Sequence, residues 1–118
     1  MTERDFDLVF AALAHPTRRR MLDLLRAAPG APIAALAQHF KMSAVGVLKH
    51  VKALERAGLV VSRQAGRSRL LYFNAMPLQL ISDRWTDDYG AFWTGRIADL
   101  KERLESVPSA EKREKRIA

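Results

Sequence analysis

The chain has no cysteine. That absence excludes disulfides, thiolate metal centres, iron–sulfur clusters and thiol nucleophiles, and it suits the reducing cytoplasm where the protein is expected to work. Long apolar runs are missing too: nothing approaches the roughly 20 residues needed to cross a bilayer, so no membrane span is expected. The opening MTERDFDLVF carries acids where a secretory leader has cations and an apolar block, and export is not expected. There is no glycine-rich phosphate loop and no closely spaced histidine and nucleophile. With nothing from which to build an active site, neither an enzyme nor a cofactor is expected.

What is present is a globular chain with an excess of positive charge. A length of 118 residues fits one domain, and 48% hydrophobic residues suffice for a core without covalent staples. Twenty Lys and Arg against thirteen Asp and Glu give a net charge of +7, which favours an anionic partner such as nucleic acid or an acidic lipid surface. The excess is local. Residues 41–73 hold Lys41, Lys49, Lys52, Arg56, Arg63, Arg67 and Arg69 against Glu55 alone, whereas residues 74–107 are slightly acidic.

The pattern along the chain predicts mainly helix. Thr2 and Asp5 read as a capping pair for a helix over about 3–14, with Phe6, Val9, Phe10 and Leu13 on one face. His15-Pro16 breaks it, and Pro16 is placed to open a second helix that turns Met21, Leu22, Leu24 and Leu25 inward and ends at Pro29-Gly30. Pro32 opens a short third helix of about two turns through Ile33, Leu36, Ala37 and Phe40. Ser43 caps a fourth, with Val47, Val51 and Leu54 inward and Gly58 at its end. Strand formers at 59–61 and 70–73 around Ala65-Gly66 predict a β-hairpin with Arg63, Arg67, Ser68 and Arg69 near its tip. Pro77 opens a last long helix carrying Ile81, Trp85, Tyr89, Phe92, Trp93, Ile97, Leu100 and Leu104. Residues 1–107 thus form the domain, and 108–118 a charged, unstructured tail.

A mainly α chain with a small hairpin in this order has the layout of a winged helix-turn-helix, and Lys41-Met42-Ser43 makes the tight connection between the third and fourth helices. A helix fits the major groove, its capped end presents N–H groups to phosphate, and Lys and Arg displace condensed counterions.

FAALAHPTRRRMLDLL, LAQHFKMSAVGVLKHVKALERAGLV and RQAGRSRLLY together resemble the ArsR/SmtB family of bacterial transcriptional repressors. The resemblance runs over roughly residues 6–105 and is most specific at His15-Pro16-Thr17-Arg18 and at Leu54 to Val60. It implies that helix 44–57 is the recognition helix, with Ser43, Ala44, Val45, Leu48, Lys49, His50, Lys52 and Arg56 at DNA. It also implies that hairpin 59–73 is the wing and that the first and last helices pair two copies through Phe6, Phe10, Ile81, Trp85, Tyr89, Phe92, Trp93 and Leu100. The target implied is an inverted repeat in promoter DNA.

Metal sensing does not carry over. Pro32 and Ala34 stand where the family's third-helix site has cysteines, and the last helix has Asp83, Asp87 and Asp88 but no histidine, so no metal site is expected. Leu48 stands where many relatives carry a small hydroxyl residue. Ala44, Val45 and Leu48 can touch thymine methyl groups, leaving Lys49 as the candidate for a hydrogen bond to guanine.

Other readings stand beside these. The basic residues could be a solvated face, His50 a DNA backbone contact or a half-buried packing residue, and the last helix's aromatics a dimer seam or a pocket for an apolar effector. His15 is expected to cap the second helix or pack locally. Arg18-Arg19-Arg20 sits at a helix start, where the dipole disfavours cations, so phosphate or salt bridges to Asp23 or the first helix must compensate. For the whole chain, a non-specific architectural DNA binder and a helix-mediated interaction module with vestigial DNA binding are the alternatives to a sequence-specific regulator.

Overall fold

The computed structural model describes residues 1–86 and 90–106. Helix α1 (Glu3–Leu13) begins in a capping box: the Asp5 N–H donates to Thr2 Oγ1 at 3.2 Å and the Thr2 N–H donates to Asp5 Oδ2 at 2.7 Å. Bonds from the Thr2 backbone and then its hydroxyl hold the Asp5 carboxyl below its ordinary value. Helix α2 (Pro16–Ala27) starts on proline with His15 as its cap. Strand β1 (Ala31–Pro32) leads into α3 (Ile33–Ala37), and Ser43 Oγ accepts from the Gly46 N–H at 3.1 Å to cap α4 (Ala44–Arg56). Strands β2 (Val60–Ala65) and β3 (Ser68–Phe73) form the hairpin, followed by α5 (Met76–Thr86) and α6 (Gly90–Glu105).

Residues Met1–Ile81 form one compact unit. Val9 and Ala12 from α1, Met21, Leu22 and Leu25 from α2, Leu36 from α3 and Val47, Val51 and Leu54 from α4 meet Leu59, Val60 and Leu71 in one core. The inward faces expected for α2 and α4 are those observed. On α1 the apolar stripe divides: Val9 is buried, Phe6 is half-buried, and Phe10 keeps 45% of its surface exposed.

The sheet has the order β1-β3-β2 and is antiparallel throughout. Strand β1 was not expected. It pairs Ala31 with Leu71 and Pro32 with Leu70, and proline is tolerated because β1 lies at the edge. Helix α3 is accordingly shorter than expected, starting at Ile33; bonds from His39 N–H to Leu36 O at 3.2 Å and from Phe40 N–H to Ala37 O at 3.1 Å tighten the chain beyond it. Phe40 still packs against the core, reached through a turn.

Of the long helix expected from Pro77, the described residues show two stretches. Helix α5 begins one residue earlier, at Met76, and α6 begins at Gly90; residues 87–89 lie outside the described residues, as does the tail from 107 on. The second unit starts at Ser82. Within it Trp85, Ile97 and Leu100 are exposed, Leu104 is half-buried, and the Arg84 guanidinium lies 5.1 Å from the Trp85 ring centre. Among the described residues, no helix is long and apolar enough to cross a membrane.

Candidate nucleic-acid interface

Helix α4 is anchored through Val47, Val51 and Leu54, each fully buried. A 3.6-residue period then forces the opposite face outward. Ser43, Ala44, Val45, Lys49, Lys52 and Arg56 are exposed, Val45 to 64%, while Leu48 and His50 are half-buried at the sides. The helix ends in a glycine cap: Gly58 has φ +75°, its N–H donates to Glu55 O at 2.9 Å, and the Leu59 N–H donates to Leu54 O at 3.0 Å. That cap turns the chain directly into β2, joining α4 to the hairpin with no slack.

The wing pairs Val60 with Phe73 at its base and Ala65 with Ser68 at its tip. Gly66 closes the turn at φ +61°, its carbonyl accepting from Gln64 Nε2 at 3.0 Å. Arg63, Arg67, Ser68 and Arg69 are all exposed, but Arg69 is engaged. Its Nη2 lies 3.2 Å from Glu55 Oε2 and its Nε donates to Ser62 Oγ at 2.9 Å. With Arg69 43% exposed, solvent holds the ion pair to about 1 kcal/mol or less.

The arginines that open α2 face the end of α1. Arg19 Nη1 donates to Leu13 O at 2.7 Å and Arg18 Nη1 to Ala11 O at 3.5 Å, while Arg20 lies over the Phe40 ring at 5.5 Å. Terminal carbonyls of α1, at the negative end of its dipole, therefore supply compensation from the first helix, one of the sources expected, through hydrogen bonds and not a salt bridge. Arg18 also donates Nε to His50 Nδ1 at 3.1 Å. The His50 ring packs 4.5 Å from that of His15, whose own Nδ1 accepts from the Thr17 N–H at 3.3 Å and so caps α2. Burial first, then His15 and Arg18, lower the His50 pKa from its ordinary 6.5. His50 is half-buried, and its bond to Arg18 ties α2 to α4.

The residues assigned to a dimer seam are distributed unevenly. Trp85 and Leu100 are exposed, Phe10 is largely so and Phe6 is half-buried. Ile81 is half-buried and packs against the core of the first unit, where α5 lays its first turns. Tyr89 and the side chains of Phe92 and Trp93 lie outside the described residues.

Comparison with known proteins places this geometry. A helix-turn-helix domain family matches residues 13–63. The HTH-type transcriptional regulator YuzN of Bacillus subtilis (strain 168) is 32% identical over 87 residues, spanning 69% of this chain and 95% of YuzN. A solved ArsR-like transcriptional regulator from Rhodococcus sp. RHA1 is 31% identical, covers 92% of this chain and 100% of its own, and superposes with a TM-score of 0.64. The chain belongs to the ArsR family. It is a winged helix-turn-helix transcriptional regulator. This ArsR-family chain is also similar to the transcriptional repressor SdpR of Bacillus subtilis (strain 168), at 33% identity over 73 residues, 60% of this chain and 78% of SdpR.

Two elements of the ArsR-family site escaped sequence reasoning. Asn74 ties the end of α4 to the start of α5, donating Nδ2 to Gly58 O at 2.9 Å and accepting from the Met76 N–H at 3.2 Å. Glu55 holds Arg69 across fourteen residues of sequence. The one legible sign of the second was a single acid among seven basic residues. Among the described residues no three His, Asp or Glu side chains gather as a metal site would require.

Proposed function

We propose that this regulator is a homodimeric repressor of an inverted-repeat operator, reading the major groove with α4 and the adjacent minor groove with the β2–β3 wing. One observation carries the reading: the side of α4 turned from the core and the neighbouring wing together display Lys49, Lys52, Arg56, Arg63 and Arg67 around a serine-capped helix start. Lys49 is the base contact, and Ala44, Val45 and Leu48 touch thymine methyl groups. Much of the affinity comes from phosphates, with DNA shape contributing to specificity. The first and last helices pair the two copies, consistent with the exposed Phe10, Trp85 and Leu100. The name of SdpR supports repression over activation. Binding is independent of metal and of catalysis.

The test compares binding to the chain's own upstream DNA with binding to a scrambled duplex over a salt series. With about four phosphates neutralised per subunit, log K against log salt slopes near −7. Lys49→Glu abolishes operator binding and a change at Asp99 does not. Added metals and chelator leave affinity unchanged. The strongly exposed Val45 favours a second reading, a non-specific architectural binder, because an apolar tip offers no base-specific hydrogen bond. Equal affinity for both duplexes establishes that second reading. Dimerisation without salt-sensitive DNA binding points instead to an interaction module.

A further inference from the structure

We propose that Glu55 is a positioning residue of the DNA interface: through Arg69 it latches the wing to the recognition helix, and Arg69 thereby serves the protein instead of a phosphate. The inference rests on the DNA-binding reading above and sharpens it.

Arg69 stands opposite Gln64 in the hairpin, so its side chain reaches diagonally along one sheet face to Ser62, which stands opposite Leu71. There its Nε donates to Ser62 Oγ at 2.9 Å, and the same guanidinium extends Nη2 to Glu55 Oε2 at 3.2 Å. One planar group thus joins β3, β2 and α4. Geometry of this kind suits arginine and not lysine, whose ammonium carries no fixed fork.

Glu55 is the less exposed partner of the pair. Its side chain is 23% exposed, and its second oxygen, Oε1, is buried with no hydrogen-bond partner among the described residues. An ionised carboxylate with one oxygen in that position depends on its single cation, and removal of Arg69 strands it. Placement adds to the argument. Glu55 is the only acid between residues 41 and 73, on a segment that approaches phosphates, where a negative charge by itself lowers affinity. Reading two grooves at once requires α4 and the wing to keep a set separation, and a latch from the last turn of α4 to the hairpin pair next to its tip supplies it.

The electrostatic and latch accounts predict opposite signs for one isosteric change. Glu55→Gln removes an acid from the DNA face, so charge alone raises affinity for every duplex. The latch predicts that Glu55→Gln weakens operator binding about fivefold while scrambled-duplex binding holds or rises. Arg69→Gln weakens operator binding with the salt slope unchanged; a slope shallower by about 0.9 per subunit assigns Arg69 to a phosphate and overturns the proposal. The swapped pair Glu55→Arg with Arg69→Glu recovers operator affinity lost in either single charge reversal, and failure to recover counts against the latch. In DNA-free protein, amide exchange around Arg67 to Arg69 quickens about fivefold in Glu55→Gln. Unchanged exchange overturns the latch whatever the DNA result. If the unaltered chain binds both duplexes equally, the operator reading fails while the exchange experiment still decides the latch. If it prefers its operator and Glu55→Gln binds as well, the latch alone fails.

Discussion

His50 accepts a hydrogen bond from Arg18 only while its Nδ1 carries no proton, since a guanidinium offers donors alone. Its pKa is lowered by burial, then by His15 and Arg18, so the folded state binds a proton less readily than the unfolded chain. The stability that this difference contributes is complete above 6.5 and is lost as pH falls from there through the lowered folded value. The other groups facing the ring are His15 and Arg18, both of which oppose a further positive charge. Urea unfolding of the unaltered protein therefore shows a midpoint that drops on acidification through this window. His50→Gln removes that dependence, and a midpoint equally pH-sensitive in the variant would show that the acid sensitivity lies elsewhere. The arginine run shows why such links are hard to read in a sequence. That Arg18 to Arg20 needed compensation was legible from the helix dipole, but the partners of Arg18 and Arg19 include carbonyls of α1, which every residue carries and no composition reveals.

At the scale of elements, the ends of α4 matter as much as its faces. Ser43 and Gly58 marked both ends from residue type alone, because a serine hydroxyl satisfies an orphan N–H and glycine adopts positive φ without strain. Gly58→Ala places an L residue at φ +75°, where its Cβ comes 3.5 Å from Pro77 Cγ, an ordinary contact. The backbone cost is about 1–2 kcal/mol. A fall of that size in denaturant stability is expected, with a free energy unchanged from the parent as the contrary result. Elements that rely on distant partners were less legible. Strand β1 is two residues long and exists through its pairing with β3, some forty positions away, so no local alternation announces it. Asn74 bonds to a carbonyl sixteen residues back, and only the closed fold makes it a junction between α4 and α5.

At the scale of the whole molecule, the exposed apolar stripe of α6 bears on assembly. Helix α6 carries Ile97 65% and Leu100 56% exposed, with Leu104 on the same stripe, an arrangement that suits burial against a second copy. Leu100→Glu is expected to shift sedimentation from dimer toward monomer. It should also weaken operator binding by more than tenfold, because a dimer gains its affinity by holding two half-sites at once. Dimerisation at the unaltered concentration would remove Leu100 from the seam. Of the proposed seam residues, Ile81 is half-buried against its own chain's core, a contact that periodicity alone does not reveal.

Cysteine content, the local +6 excess of residues 41–73 and the periodicities of α1, α2 and α4 are properties of composition and short-range order, and the sequence by itself determined them. The same holds for the family, carried by contiguous phrases. Tertiary structure alone decided which polar and charged groups are committed to the protein. Arg69 to Glu55, Arg18 to His50 and Asn74 to Gly58 join residues 14, 32 and 16 positions apart. Hydrogen bonds and ion pairs of this kind depend on distances of a few ångströms, which the chain acquires only when its core closes.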